Sequence, residues 1–157
     1  GPRVTGIGHH HPPSHLSGVP DTSMATLPAV GPSVDEAVSD AGTAIEAVDV
    51  LEPYAPFPHI EAILTEELGL FERGAGAAAC ARGETRPDGQ IPVSPSGGCI
   101  GRGHPAMVTP LLNYVGAVRQ IRGTASTQVP DVETVLTTSE HGHVDGMTTT
   151  IIEAMST

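Results

Sequence analysis

The chain has 157 residues, with 18 acidic side chains against 7 arginines and no lysine, for a formal net charge of −11. A surface of that sign repels polyanions, which argues against nucleic acid as a partner; no apolar run approaches the ~20 residues of a membrane helix, and no basic-then-apolar leader opens the chain. The size suits one domain over residues 1–157 with a substantial core, and the expected setting is the cytoplasm.

The first element is a strand-like run, Arg3-Val4-Thr5-Gly6-Ile7-Gly8. His9, His10, His11 and His15 follow in a Pro/His/Ser-rich loop within residues 1–30. No carboxylate or cysteine pattern accompanies them, so they are read as surface histidines and no metal site is expected. Gly31-Pro32 sets the first turn of a helix that carries Val34, Ala37, Val38 and Ala41 and ends at Gly42. Ala47 to Glu52 reads as a buried strand, broken by Pro53 and continued through Pro53-Tyr54-Ala55-Pro56-Phe57-Pro58-His59. From Pro58 to Leu68 the residues Ile60, Ile63, Leu64 and Leu68 form the apolar face of another helix, closed by Gly69. Ala75 to Ala79 is a closely packed helical segment, and a turn-rich excursion over 83–95 leads to the next feature.

That feature is Ser96-Gly97-Gly98-Cys99-Ile100-Gly101-Arg102-Gly103-His104-Pro105, in which four glycines allow positive φ and close backbone approach, so that His104 is delivered at a defined point. Pro105 suits the first turn of a helix ending near Gly123, and Met107, Val108, Leu111, Leu112, Val115 and Val118 predict that its apolar face is buried. Arg102 is read as a surface arginine. Cys80 and Cys99 form neither a zinc pattern nor a disulfide framework, and Cys99 is assigned a packing role. Two β-rich runs close the chain, Thr134 to Thr138 and Met147 to Ile152, joined through Ser139-Glu140-His141-Gly142-His143-Val144-Asp145-Gly146. Strand, helix, glycine loop, helix and hairpin together make an α/β unit.

With these residues in view, the chain resembles the C-terminal domain of the thiolase superfamily, above all the branch of sterol-carrier and lipid-transfer thiolases. Ser94-Pro95-Ser96-Gly97-Gly98 through Gly103-His104-Pro105 is similar to the family's Asn-x-x-Gly-Gly to Gly-His-Pro signature. Asp49 to Phe57 lies where the family carries Asn-Glu-Ala-Phe or His-Asp-Cys-Phe; Phe57 and the strand match, whereas the motif's polar residues do not. The resemblance implies a mixed sheet with helices packed on both faces. It also implies that His104 activates a nucleophile and helps form an oxyanion hole, that His141 stands where a second cysteine moves the α-proton, and that Tyr54 stands at the motif's Asn or His position.

Gly103, Gly142 and His143 are the corresponding substrate-binding candidates. Which of His141 and His143 enters the site is open, and Tyr54 reads equally as a core aromatic. The nucleophilic cysteine belongs to an N-terminal half that these residues do not contain, so the resemblance implies such a half on another chain in a hetero-oligomer, with an OB-fold/zinc-ribbon acyl-CoA-binding protein as a further partner. A coenzyme A thioester is then the substrate, with no tightly bound cofactor, and the acidic chain leaves most of its phosphate-binding surface to the partner. Three functions follow: a thiolase-like acyltransferase using Claisen chemistry, an aldolase half cleaving a β-hydroxyacyl-CoA with a steroid-like side chain, or a non-catalytic lipid- or acyl-CoA-binding half.

Overall fold

A computed structural model describes residues 1–12, 25–141 and 146–155. In chain order the elements are β1 (Pro2–His10), α1 (Val30–Ala41), β2 (Val50–Glu52), α2 (Pro58–Glu67), α3 (Gly76–Arg82), α4 (Thr109–Ile121), β3 (Thr134–His141) and β4 (Gly146–Ala154). The four strands form one mixed sheet in the order β1-β4-β3-β2: β2 runs parallel to β3, and β4 is antiparallel to both of its neighbours. A parallel bridge from Leu51 to Val93 extends the sheet beyond β2.

Because side chains alternate across a strand, each strand feeds two cores. Leu51, Leu136 and Ile151 face the layer of α1 and α2, where Val30, Val34, Ala37, Ile60 and Leu64 are buried. Val50, Val135 and Ile152 face the layer of α4 and pack with Ala117, Val129 and Val132. The sheet therefore carries helices on both faces. Gly6 and Gly8 let α1 lie directly on β1, since a Cβ on Gly8 would fall 1.8 Å from the Ser33 carbonyl oxygen. The outer edge of β1 is occupied by acidic side chains of α1: the Ile7 N–H donates to Asp40 Oδ2 (3.0 Å) and the His9 N–H to Glu36 Oε2 (2.8 Å).

The helix ends follow the local chemistry. Gly42 and Gly83 adopt the left-handed conformation that closes α1 and α3, and Gly69 does so just beyond α2. The buried strand is shorter than its sequence suggests: Ile45–Ala47 forms a 3₁₀ turn and β2 spans Val50–Glu52. Residues 53–57 form no strand, because Pro53 and Pro56 lack the N–H that a ladder needs, and Pro58 opens α2. No helix among the described residues is long and apolar enough to cross a membrane.

The largest departure concerns α4. Four residues of its expected apolar face are turned outward, with Met107 95% and Leu111 64% exposed and Val108 and Val115 also exposed; Leu112 and Val118 are half-buried, whereas Thr109, Asn113, Gly116, Ala117 and Gln120 are buried. Pro105 does not open the helix: residues Ala106–Val108 make a 3₁₀ turn, and α4 starts at Thr109-Pro110. The small residues Gly116 and Ala117 bring the helix close to a sheet face that is itself partly polar. A Cβ at Gly116 would lie 3.1 Å from the Glu52 carboxyl, and the Tyr114 hydroxyl meets Thr150 Oγ1 at 2.6 Å. Polar partners and close approach decide which side faces in, and the larger apolar side chains remain outside.

Candidate active site

Tyr54 and His104, 50 residues apart in sequence, meet at the end of the sheet where β2 and β3 finish. Tyr54 leaves β2 by two residues, and its backbone N–H donates to Thr138 Oγ1 on β3 (2.9 Å). The phenol oxygen then lies 2.8 Å from His104 Nε2, with the rings edge-to-face at a centroid distance of 5.5 Å. Burial pushes the Tyr54 phenol above its usual 10.0, and the negative charge of Glu140 adds to the shift. At neutral pH the phenol keeps its proton and can donate it to Nε2 when the imidazole presents that nitrogen as an acceptor.

His104 is presented by the glycine loop. Gly97, Gly98 and Gly103 have φ of 95°, 53° and 111°, values that side chains resist, and residues Gly98–Arg102 wind into a single π-helical turn. Ala106, just past His104-Pro105, also has positive φ (45°), a local strain held at the mouth of the site. A cavity of about 470 Å³ opens beside the pair, lined also by Ala106, Met107, Pro110, Ser139 and Glu140.

Beneath the loop sits an acid that the sequence reading passed over. Glu52 is fully buried; its Oε1 accepts from Ser96 N–H (3.1 Å) and its Oε2 from the Ser96 hydroxyl (2.6 Å). Arg102 continues the chain of contacts through Nη1 to Ser96 Oγ (2.7 Å) and Nη2 to Asn113 Oδ1 (2.7 Å). Arg102 is thus no surface arginine: its guanidinium is drawn inward because the loop and α4 present acceptors there, including the Leu112 carbonyl (3.3 Å). Cys99 is buried beside the loop with its thiol pushed up, chiefly by burial, the setting of a packed side chain rather than a nucleophile.

The model of the thiolase C-terminal domain-like family matches residues 8–154. The chain belongs to that family. It is 41% identical to the acetyl-CoA acetyltransferase of Methanothermobacter thermautotrophicus over 50% of this chain and 20% of that protein, and 38% identical to sterol carrier protein 2 of Rattus norvegicus over 57% of this chain and 16% of that protein. Among solved structures, the Ltp2–ChsH2(DUF35) aldolase superposes with a TM-score of 0.85 at 23% identity, over 96% of this chain and 39% of that one, a likeness of fold. The chain thus spans a fifth or less of the curated relatives it matches.

In this thiolase C-terminal domain the structure brings Tyr54, His104 and the exposed Gly103 to one place. His141 ends β3 opposite Gly146; its side chain, together with Gly142 and His143, lies outside the described residues. Among the described residues no cluster of His, Cys, Asp or Glu could hold a metal, and His15 lies outside them. Sequence reasoning missed Glu52, Ser96, Asn113 and Glu140. Only Glu52 left a signal: two residues past Val50, the strand's alternation points it into the α4 layer, where a carboxyl demands partners.

The Glu52 pKa is raised above 4.5 in the fold, burial outweighing the Ser96 hydrogen bonds and the Arg102 charge. Ionisation of a group with a raised folded pKa opposes folding, so its contribution is greatest below about 4.5 and is lost as pH climbs through the raised value. Glu52→Gln, which cannot ionise, is expected to gain in Tm relative to the wild type as pH rises from about 4.5 through the raised value, and to hold that gain above it. Melting curves whose separation does not change with pH would reject this account.

Proposed function

We propose that this chain is the C-terminal half of a thiolase-fold enzyme that makes or breaks a carbon–carbon bond in a coenzyme A thioester, with Tyr54 and His104 as its proton-transfer pair. The observation that carries the reading is the 2.8 Å phenol–imidazole hydrogen bond at the wall of a cavity of about 470 Å³. A raised phenol is a poor base alone, but in contact with Nε2 it can take a proton from a substrate oxygen while passing its own to the imidazole. No phenolate has to form, and the positive charge appears on His104, which is exposed to solvent.

The same bond favours aldol over Claisen chemistry within this class. In a Claisen enzyme the imidazole must serve a cysteine supplied by the N-terminal half, whereas here Nε2 is already engaged by Tyr54. A β-hydroxyacyl thioester, by contrast, offers a hydroxyl proton that this pair is arranged to remove. The Ltp2–ChsH2(DUF35) aldolase, similar in fold, is in keeping with that reading and with a DUF35-type second partner.

The exposed Met107, Val108, Leu111 and Val115 adjoin the cavity through Met107 and Pro110, so an apolar surface borders the reacting groups. We assign it to the N-terminal thiolase-like half that completes the site and supplies the basic groups for the coenzyme A phosphates, on another chain or elsewhere in the same polypeptide. No tightly bound cofactor is needed for this chemistry.

The test is the assembled enzyme assayed with a 3-hydroxyacyl-CoA for cleavage and with an acyl-CoA for condensation. Tyr54→Phe is expected to lower cleavage by about 100-fold, since the relay loses its first member. Cleavage by Tyr54→Phe at the wild-type rate would remove the tyrosine from the mechanism, and condensation without cleavage would restore the Claisen reading.

A further inference from the structure

Chemistry at a carbon beside a thioester moves two protons, one on oxygen and one on the α-carbon, and the Tyr54–His104 pair is one hydrogen-bonded unit that relays one of them. A second titratable group in the same cavity can serve the other. Among the described residues lining it, Glu140 is the only such side chain besides those two. It lies one residue before the end of β3, paired with Met147 on β4, and its neighbour Ser139 also lines the cavity. Tyr54 is tied to this strand end as well, through its N–H to Thr138 Oγ1. One rigid element therefore carries the carboxyl and anchors the tyrosine. The charge of Glu140 is felt at Tyr54, where it adds to the effect of burial.

We infer that Glu140 exchanges the α-carbon proton of the acyl thioester, a role that rests on the acyl-CoA reading above. In the condensing direction its carboxylate takes the proton from Cα, and the C–H electron pair passes into the thioester enolate. In the cleaving direction the hydroxyl proton goes to the Tyr54–His104 pair, the O–H electrons form the new carbonyl, and the Cα–Cβ pair passes into the enolate. Glu140 in its acid form then donates a proton to Cα, the enolate pair forming the new C–H bond. The cycle closes when the proton held by His104 returns through water to Glu140.

The assembled enzyme is incubated in D₂O with acetyl-CoA, propionyl-CoA and octanoyl-CoA, α-deuterium incorporation is read by mass spectrometry, and cleavage of a 3-hydroxyacyl-CoA is followed in parallel. Glu140→Gln is expected to slow α-exchange by about 100-fold or more, with Glu140→Asp retaining part of the rate. Exchange by Glu140→Gln at the wild-type rate overturns the assignment while leaving the acyl-CoA reading intact. A wild-type enzyme that neither exchanges nor cleaves overturns that reading and the role of Glu140 with it. Should Glu140→Gln fail to assemble, Glu140→Ala decides: exchange by that variant at the wild-type rate overturns the proposal.

Discussion

His104→Ala in the assembled enzyme is expected to lower turnover by roughly 10³–10⁴-fold, the upper end of what a positioned acid–base group supplies, while the melting temperature stays close to that of the wild type. The two expectations separate because His104 is exposed and contributes little to packing, and because the loop that presents it is held from beneath. Ser96 is bound to Glu52 at 2.6 Å and Arg102 to Asn113 at 2.7 Å, and none of these contacts uses the imidazole. Tyr54, deprived of its partner, is a phenol whose pKa is raised and so a poor base at neutral pH, and Glu140, the other titratable side chain among the described lining residues, is assigned to the α-carbon. Turnover within about tenfold of the wild type would mean that the chemistry does not pass through Nε2. A double variant with Tyr54→Phe that is no worse than His104→Ala alone would show that the two act as one unit.

The second large effect concerns the fold. Gly8→Ala should destabilise the chain by about 3 kcal/mol or more, at or beyond the upper end of ordinary overpacking. The added Cβ would lie 1.8 Å from the Ser33 carbonyl oxygen and 2.6 Å from the Ala37 nitrogen, so it meets helix backbone rather than a side chain that could rotate away. α1 must then retreat from β1, which loosens Ser33, Val34 and Ala37 and breaks the 2.8 Å contact between Ser33 Oγ and Thr149 Oγ1. For a chain of this length such a change lowers Tm by about 6–12 °C. Gly31→Ala is the control, since a Cβ there meets nothing within 4 Å. Equal melting of the two variants would show that the close approach of α1 is not what requires glycine at position 8.

How much of the site could be read in advance depends on the range of the interactions that build it. The glycine loop and His104 are visible because glycines at positions of positive φ, with a proline after the histidine, mark a constrained turn whatever lies around it. Tyr54 is marked by its place in a motif, whereas its contact with His104 at 2.8 Å exists only in the folded chain. Glu140 had no signature at all, because a carboxylate in a turn segment is ordinary until a cavity forms beside it.

The sequence by itself determined the family, the α/β class, and the approximate run of the helices and the closing hairpin. These rest on local preferences: the period of apolar residues, glycine at helix ends, and proline at first turns. Tertiary structure alone decided which way α4 faces, that Glu52 is buried and Arg102 drawn inward, and that Tyr54 and His104 touch. The physical reason is that burial belongs to a pair of surfaces rather than to one. The stripe of Met107, Leu111 and Val115 has the hydropathy of a core, but the sheet face opposite α4 carries Glu52, Thr137 and Thr150, and it is Gly116, Ala117 and Asn113 that fit against it.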